Sequence, residues 1–484
     1  MVIEREKMQE IVRGYKDPMT LYLGSHSALD AWGGGRDFGL KSLVYTTPAR
    51  AYIYLKSPMV GNPGEDMVEF PDVIARDLVV TNDIDRLKND RLKNRDFKTA
   101  ILVLPNYSDI VKLSDDLIEM EALQVPNRAF SVYVGGDENC SVIENDFKVP
   151  IVGSRKLLKV ENRGEVERDY YWFAEKAGIP TPKSYKYDVT KEGIRFKEPI
   201  DEPMLLKTEH AGRSFEREFI FAADSNDLEE KIQREVKLGV LDEKGLREGR
   251  IEQIVLGPHA NLNYFYSPLD AKKSWGDAEK MFAELYCSGN VTKARTCLAN
   301  QFLSADERRE TILDGLKRLP NDVQQKIKKV PSFEVTAHLP MSLRESLLKD
   351  TERFADAFML AAKEYEPPGI IGAWCLQTLI TWDRVSKYDL IPIVKLSGTS
   401  ARSGGPKTGE DYGLYDVPEG GEPMMHIPVT QDVALRHGGG TNTHMGIGSQ
   451  YANAKYQRRM SMGDRIAMEI KRAKEQHMLE EIVT

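Results

Sequence analysis

The sequence predicts a mixed fold, with an α/β unit built on a parallel sheet over roughly the first 125 residues and an α+β region after it. Near the start of the chain, apolar strand-like runs alternate with polar or helical segments, which is typical of parallel sheets. From about residue 150, paired strands and longer helices replace that alternation. The 484 residues are enough for two or three domains at roughly 100–200 residues each.

The N-terminal unit is predicted from its apolar runs and one turn. Four runs have the composition of buried strands: residues 19–24, 42–46, 99–104 and 129–134. The first run ends in Gly24, and Ser25-His26-Ser27 then opens a helix through residues 28–32. The charged stretch 83–96 is expected to be a solvated helix or loop.

The second region begins with an amphipathic helix at residues 169–178, which Gly178 closes before two prolines. The pattern of a small α+β lid follows: strands at 203–207, 218–222 and 250–256, and a charged helix at 227–238. Residues 270–305 are weakly patterned and are interpreted as an insertion. Residues 398–421 are predicted to form a long loop, and residues 463–481 the last helix.

Composition excludes several classes of function. The formal net charge is −8, from 67 basic and 75 acidic residues, so a nucleic acid polymer is not the expected partner. The four cysteines form no CxxC pair, which favours a reduced, cytoplasmic protein. No signal peptide and no run of about 18 apolar residues is present, so no membrane association is expected.

The most informative motif is the segment from Asp432 to Asn442. A carboxylate on an alternating run is followed by Arg436, a triple-glycine turn and an asparagine. Carboxylates bind Mg²⁺, and glycines let the backbone approach phosphate oxygens closely. The motif therefore suits a metal–nucleotide site, although it also suits an acidic strand end with a flexible turn.

The turn at residues 24–29 combines a helix start with hydroxyl and imidazole donors. Helix N-termini attract anions, and this edge of an open α/β sheet is where ligands bind. The alternative is simple capping of the helix by Ser25 or Ser27.

Three further polar positions lie on predicted strands. Lys207 lies in an apolar run, where an inward side chain would reach nucleotide phosphates and an outward one would be solvated. Asn261 and Asn263 are spaced by two, so they point to one face of a pocket or to the wet face of an edge strand. Gln377 begins a strand that is expected to neighbour the strand of Asp432, but glutamine is a weak Mg²⁺ ligand.

Taken together and in order, these motifs resemble one family. It is that of the archaeal formate-dependent 5-formaminoimidazole-4-carboxamide ribonucleotide synthetases, the PurP type of the ATP-grasp superfamily. The similar segments run through nearly the whole chain: residues 24–29, 149–158, 263–268, 309–320, 343–348, 367–377, 438–442 and 461–465.

The resemblance implies a Rossmann-like pre-ATP-grasp domain at residues 1–125 and an ATP-grasp domain at 126–484, with its lid at about 180–250. It implies a ligase that uses ATP, Mg²⁺ (or Mn²⁺), formate and a ribonucleotide, and a homo-oligomer. The residues implied for the ribonucleotide are Ser25, His26, Ser27, Arg128, Asn261 and Asn263. Those implied for ATP are Arg155, Lys207, Glu252 and Asn442. Those implied for the metal are Gln377 and Asp432, and the candidates for catalysis are Arg436 and Arg309.

This chain departs from the family at the predicted site. A nucleotide-contacting Pro-His-Gly-Ser-Phe turn reads Pro-Asn-Arg-Ala-Phe at residues 126–130, the lid loop 211–215 has one glycine, and Asp432 replaces a glutamate. Insertions at about 270–305 and 395–428 have no family counterpart. These departures keep two alternatives open: a related ligase with another acid or amine substrate, and a non-catalytic nucleotide-binding subunit.

Overall fold

The computed structural model describes residues 2–25, 27–56, 78–92, 99–162, 166–208, 219–316, 318–324, 326–327, 335–384, 424–440 and 449–484. Several predictions lie outside these residues: those for His26, Asn442, the lid loop 211–215, the loop 398–421 and most of the second insertion. The predicted domain boundary near residue 125 stays a prediction.

A five-stranded parallel sheet forms the N-terminal unit, in the order β3-β4-β2-β1-β5. Its strands are β1 (Met19–Leu23), β2 (Lys41–Thr46), β3 (Leu78–Thr81), β4 (Thr99–Val103) and β5 (Ala122–Gln124). The accompanying α-helices are Arg5–Arg13, Ala28–Asp37, Ala51–Lys56, Ile84–Leu92, Ser114–Glu119, Arg128–Val134 and Ser141–Asn145. Two 3₁₀ helices, Tyr107–Leu113 and Arg155–Glu161, complete the unit. The parallel sheet and three of the four predicted strands are thus confirmed.

The strand predicted at residues 129–134 is wrong, because this run is the helix Arg128–Val134. Asn127 caps the helix, accepting a 3.0 Å hydrogen bond from the backbone of Phe130. The same side chain donates to the carbonyl oxygens of Leu23 and Ser25, at 3.1 and 3.2 Å. A local cap therefore overrides the strand preference of valine, tyrosine and phenylalanine.

The predicted lid is an antiparallel sheet in the order β10-β9-β11-β6 with its own apolar core. Its strands are β6 (Ser184–Tyr185), β7 (Asp188–Thr190), β8 (Gly193–Arg195), β9 (Met204–Lys207), β10 (Phe219–Ala222) and β11 (Arg250–Gln253), of which β7 and β8 pair separately. The helices are Tyr170–Ala177 before the sheet, and Ser225–Lys237 and Glu243–Glu248 within it. The predicted strands and charged helix of the lid are confirmed.

A second antiparallel sheet, β14-β13-β12-β15-β16, holds the centre of the chain's C-terminal half. Its strands are β12 (His259–Tyr266), β13 (Asn300–Glu310), β14 (Val335–Met341), β15 (Gly372–Arg384) and β16 (Met424–Ala434). The helices are Pro268–Ala271, Asp277–Tyr286, Val291–Leu298, Thr311–Leu316, Asn321–Gln324, Glu345–Tyr365, Gln450–Tyr456 and Met462–Glu475, with a 3₁₀ turn at Leu479–Glu481. Helix Glu345–Tyr365 covers one face, where Tyr264, Trp374 and Phe358 stack in one core.

The last helix returns to the N-terminal unit. Gly34 on helix Ala28–Asp37 meets Gly463 so closely that a Cβ at residue 34 would lie 2.0 Å from the Gly463 carbonyl carbon. One apolar cluster contains Trp32, Phe265 and Ile470, which come from three separate parts of the chain. The larger antiparallel sheet and the parallel sheet are therefore joined by packed side chains. None of the helices in the described ranges combines the length and apolarity needed to cross a membrane.

Candidate active site on the antiparallel sheet

A row of polar side chains crosses the larger antiparallel sheet. Asp306 on β13 pairs in register with Asn261 on β12, which pairs with Gln377 on β15, which pairs with Asp432 on β16. Directly opposed residues of neighbouring strands point to the same face of a sheet. These four residues, called the polar row below, therefore share one surface.

The alternation of residues explains why this face is polar. Leu262, Trp374 and Val433 occupy the opposite face and belong to the core beneath helix Glu345–Tyr365. The strand β12 lies between β13 and β15, so the alternative of a wet edge strand for Asn261 and Asn263 is wrong. The two amides line a covered surface instead.

Asp306 organises one end of the polar row. Its carboxylate accepts hydrogen bonds from the amide nitrogens of Asn263 at 2.7 Å and Asn261 at 2.8 Å. His338 Nδ1 lies 2.6 Å from the same carboxylate, and Asp306 is only 1% exposed. An ionised carboxylate only accepts hydrogen bonds, so it fixes both amide orientations and the protonation of His338 at Nδ1.

The triple-glycine turn closes over this network. A Cβ added to Gly440 would lie 2.5 Å from Asp306 Oδ2 and 2.5 Å from His338 Nδ1. The backbone of the turn thus approaches the network as closely as only glycine permits. The sequence does not predict Asp306 or His338, since no local pattern marks them, although Asp306 lies three residues before the matching segment 309–320.

The other end of the polar row offers oxygen ligands. Asp432 is buried and adjacent to Gln377, so a carboxylate and an amide oxygen lie side by side. These donors fit Mg²⁺, which completes its shell with phosphate oxygens and water. Among the described residues no group of three acidic, histidine or cysteine side chains forms a closed metal cage. Arg308 donates to the Gln377 amide oxygen, which places a cation beside the predicted metal ligands.

A buried carboxylate joins the polar row to the N-terminal unit. Glu161 Oε2 lies 3.1 Å from Arg436 Nη2 and 3.1 Å from Arg128 Nη1, and its other oxygen accepts from the backbone of Leu435 at 3.2 Å. Two guanidinium groups share one carboxylate, so the cluster keeps one positive charge. Two predicted site residues, Arg128 and Arg436, are therefore brought together, and Glu161 is the member that was not predicted.

Two predicted residues are not brought to this face. Arg309 follows Arg308 on β13, so it points to the opposite side, where its nearest carboxylates are Glu307 and Asp314 at 3.7 Å. Arg155 is buried and donates to the carbonyl oxygens of Ile143, Phe147 and Val149, at 2.6, 2.7 and 2.9 Å. Burial lowers the pKa of Arg155 to about 9. Arg308, and not Arg309, therefore lies on the polar face, and the guanidinium of Arg155 is used by the fold.

Lys207 and Glu252, both predicted to bind ATP, form a pair in the lid. Lys207 Nζ lies 2.5 Å from Glu252 Oε2, and Glu252 is completely buried. Arg250 Nε lies 3.0 Å from the other carboxylate oxygen, and the Tyr171 hydroxyl also donates to it. Of the two predicted orientations of Lys207, inward and solvated, the structure shows the inward one.

The turn after β1 lies beside the Arg128 helix. The Ser25 hydroxyl accepts a 2.8 Å hydrogen bond from Arg50. Ser27 occupies the N-cap position of helix Ala28–Asp37, but its side chain makes no capping hydrogen bond. Serine side-chain capping therefore does not explain the turn. The backbones of Asn127 and His437 form a bridge, which connects this turn to the triple-glycine segment.

Comparisons with known proteins found similar sequences and a similar fold. Two family models match the chain, one described as "Protein of unknown function (DUF1246)" over residues 21–185 and one as "Domain of unknown function (DUF1297)" over residues 227–406 and 424–484. A 5-formaminoimidazole-4-carboxamide ribonucleotide synthetase of Methanopyrus kandleri is 27% identical over 487 residues, covering 100% of both chains. The synthetase of Methanothermobacter thermautotrophicus is also 27% identical, covering 100% of this chain and 99% of its own.

Among solved structures, the crystal structure of the IMP biosynthesis protein PurP from Thermococcus kodakaraensis superposes with a TM-score of 0.53 at 21% identity. The superposition covers 96% of this chain and 100% of that one. With a parallel sheet, a small lid and a large antiparallel sheet, the chain has the ATP-grasp fold. Within that class, it is similar over its full length to the archaeal 5-formaminoimidazole-4-carboxamide ribonucleotide synthetases.

Proposed function

We propose that this protein is an ATP-dependent carbon–nitrogen ligase that formylates 5-aminoimidazole-4-carboxamide ribonucleotide with formate. The names of relatives that align over the full chain support this activity. The observation that carries the proposal is the polar row, which sets amides and a carboxylate network at one end and oxygen ligands at the other. Such a surface suits an amine acceptor next to a phosphoryl donor.

The proposed reaction has two steps. A formate oxygen attacks the γ-phosphorus of ATP, and ADP leaves as formyl phosphate forms. The 5-amino nitrogen then attacks the formyl carbon, the bond from carbon to the phosphate oxygen breaks, and phosphate leaves with the electron pair while the nitrogen loses a proton. In phosphoryl transfer the protein mainly positions the reactants and neutralises charge.

The cations beside the polar row fit that task. Arg436 and Arg308 flank the position of Asp432 and Gln377, where the triphosphate would lie. Asp432 and Gln377 would hold Mg²⁺, or Mn²⁺ in its place, which supplies charge neutralisation at the phosphates. In the lid, Lys207 would turn from Glu252 toward the phosphates, while Glu252 would accept hydrogen bonds from the nucleotide.

The acceptor is assigned to the other end. With both amide nitrogens facing Asp306, the Asn261 oxygen is the acceptor that the polar row offers to an N–H group of the carboxamide ribonucleotide. Arg128, Ser25 and Ser27 lie on the facing edge of the parallel sheet, and His26 stands between the two serines in the sequence. These residues would hold the sugar-phosphate portion.

The deciding experiment uses purified protein with ATP, Mg²⁺, formate and the ribonucleotide, and follows ADP and the formylated product. Equal amounts of ADP and formamido product are expected. Asp432→Ala should abolish turnover, and Mn²⁺ should partly replace Mg²⁺ in the wild-type protein. Normal turnover of Asp432→Ala would refute the metal assignment.

A related ligase with a different acid or amine is the second proposal, because the 126–130 turn differs from the family pattern. The Asn127 side chain caps its helix and donates to the backbone of the β1 turn. Arg128 is already paired with Glu161. ADP release with another carboxylic acid, and none with formate, would favour this alternative. A protein that binds no ATP at all would favour a non-catalytic subunit.

A further inference from the structure

A cleft of about 550 Å³ opens at the carboxyl ends of β2 and β4, outside the polar row. It is lined by Thr47, Pro48, Ala49, Arg50, Pro105, Asn106, Tyr107, Ser108 and Tyr133. This volume is within the range of small-molecule sites, about 300–1,000 Å³. Ligands of open parallel sheets bind beyond the carboxyl ends of the strands, so the cleft lies at the expected edge.

Among the described residues that line the cleft, Arg50 is the only charged one. Its Nη1 donates to the Ser25 hydroxyl at 2.8 Å and its Nη2 to the Tyr133 hydroxyl at 2.9 Å. The guanidinium carbon lies 5.1 Å from the centre of the Tyr133 ring, and Tyr133 stacks on Tyr107. The arginine is therefore oriented by neutral groups, and the described part of the cleft wall contains no carboxylate to neutralise it.

Hydrogen bonds connect the wall of the cleft to the proposed active site by way of Ser25, which accepts from Arg50. The carbonyl of Ser25 accepts from Asn127, whose backbone pairs with His437 in the segment that leads to Gly440. Gly440 lies against Asp306 and His338. A short series of contacts thus links Arg50 in the cleft wall to the amide end of the polar row.

We propose that this cleft receives the phosphate monoester of the acceptor ribonucleotide, with Arg50 as its charged contact and Ser25 beside it. The inference rests on the proposed function and adds a phosphate anchor to it. Guanidinium groups bind phosphate oxygens through paired N–H donors. On a chain with a net charge of −8, affinity for a phosphate dianion must come from such local cations.

The test compares Arg50→Met and Arg50→Lys with the matched control Lys112→Met. Lys112 follows β4 at the same edge but is paired with Asp109 outside the cleft. For Arg50→Met, the KM of the ribonucleotide should rise by roughly tenfold to a hundredfold. The KM of ATP should stay unchanged, Arg50→Lys should be intermediate, and Lys112→Met should equal the wild type. An unchanged KM for the ribonucleotide in Arg50→Met would overturn the inference.

The dephosphorylated riboside identifies the contact chemically. The wild-type protein should use the riboside poorly, and Arg50→Met should use it as poorly as the wild type does. If Arg50→Met lowered the use of riboside and ribonucleotide by the same factor, Arg50 would not contact the phosphate. Thermal unfolding of each variant checks that the fold is intact, which the exposed position of Arg50 predicts.

Calorimetric titration separates this inference from the proposed function. If the wild-type protein forms no product with formate but binds the ribonucleoside monophosphate through Arg50, the proposed function fails and the phosphate site stands. If the wild-type protein is active and Arg50→Met binds the monophosphate normally, the phosphate site fails alone. Titration with inorganic phosphate tells a monoester site from a general anion site. Tighter binding of inorganic phosphate than of the monoester would contradict the proposal.

Discussion

At the scale of the residue, Gly440 sets the geometry of the acceptor end. Gly440→Ala would place a methyl group 2.5 Å from both Asp306 Oδ2 and His338 Nδ1, so the turn or the network must shift. We expect a loss of about 1–3 kcal/mol in the free energy of unfolding, as for other overpacked sites. The KM of the ribonucleotide should rise because Asn261 is oriented by Asp306. Urea unfolding and steady-state kinetics measure the two effects.

Gly315→Ala is the matched control for this change. No atom in the described part of the chain lies within 4 Å of the Cβ that Gly315 would gain, and the residue lies in helix Thr311–Leu316. Alanine should raise the unfolding free energy by up to about 1 kcal/mol there. If Gly440→Ala kept the wild-type KM, the turn would not be what holds the acceptor network in place.

The sequence predicts which residues of one strand share a face, because side chains alternate along a strand. It does not predict which residues of neighbouring strands lie opposite each other, because that depends on strand register. Asn261 and Asn263 were placed on one face because they are spaced by two. Their partner Asp306 and its neighbour His338 could not be found, because a one-residue slip between strands would send either side chain to the other face. The assignment of Arg155 to ATP binding is wrong for another reason. The local sequence around a buried arginine that binds carbonyl oxygens does not differ from that around one that binds phosphate.

At the scale of the element, β9 and β11 of the lid hold a buried ion pair. Lys207→Met would remove one cation from the fully buried Glu252, while Arg250 and Tyr171 would stay among its partners. We expect the free energy of unfolding to fall by about 2–4 kcal/mol, less than if Arg250 were also missing. Adding Glu252→Gln should recover much of this loss, while ATP affinity stays low in both variants if the proposed lid roles hold. Denaturant unfolding and nucleotide titration test the two parts.

Lys231, on the lid helix Ser225–Lys237, provides a control. Its pair with Asp227 is at least one-third exposed on both sides, so Lys231→Met should cost less than about 1 kcal/mol. If ATP affinity returned together with stability in the double variant, the lysine would be a structural residue and not a phosphate contact.

Asp350, on helix Glu345–Tyr365, is expected to make the free energy of unfolding depend on pH. Burial raises the pKa of Asp350 to about 6 from its usual 3.8, against the opposing effect of Arg353. The folded state therefore prefers the protonated acid: its stabilising contribution is complete below pH 3.8 and is lost as pH rises through about 6. Asp350→Asn should be more stable than the wild type, by a margin that grows by roughly 1 kcal/mol between pH 5 and pH 7.5.

Unfolding free energies at the two pH values measure this margin. Asp277→Asn, which removes a carboxylate that is 100% exposed, controls for the loss of one negative charge. A margin for Asp350→Asn that shrank toward pH 7.5 would show that Arg353 outweighs burial.

Element-scale prediction worked for segments whose burial is uniform or strictly alternating. The strands at 19–24, 42–46 and 99–104 are buried on both faces, and their continuous apolar runs predict this. The run at 129–134 has the same composition, but the cap at Asn127 and its hold on the β1 turn select a helix. The helix is therefore selected by a contact between residues about 100 positions apart. The amino-acid composition of the run carries no information about such a contact.

At the scale of the whole molecule, two kinds of contact join the parallel sheet to the antiparallel one. The apolar cluster around Trp32 and Phe265 packs them, and two polar links orient them. One link is the His437 side chain, whose Nε2 lies 3.1 Å from Asp30 Oδ2. The other is Glu161, between Arg128 of the first unit and Arg436 beyond β16. The two links lie where the substrates would meet, so the relative position of the sheets is part of the site.

Glu161→Gln tests that connection. The change leaves Arg436, which is 9% exposed, next to Arg128 without their shared carboxylate, so we expect a loss of about 2–4 kcal/mol in unfolding free energy. Adding Arg128→Gln should recover part of the loss by removing the repulsion. Glu119→Gln is the control, because the Glu119 side chain is 52% exposed and its pair with Lys88 should be worth less than about 1 kcal/mol.

Hydrogen exchange distinguishes two effects of Glu161→Gln: a local effect at the mutated residue and an effect on the connection between the two sheets. The Leu435 amide, which donates to Glu161, should lose protection together with helix Arg128–Val134, while the lid helix Ser225–Lys237 keeps its own. Both regions should respond because each holds a guanidinium that the carboxylate no longer neutralises. If only Leu435 lost protection, the apolar cluster alone would hold the two sheets together, and Glu161 would serve the arginine positions and not the architecture.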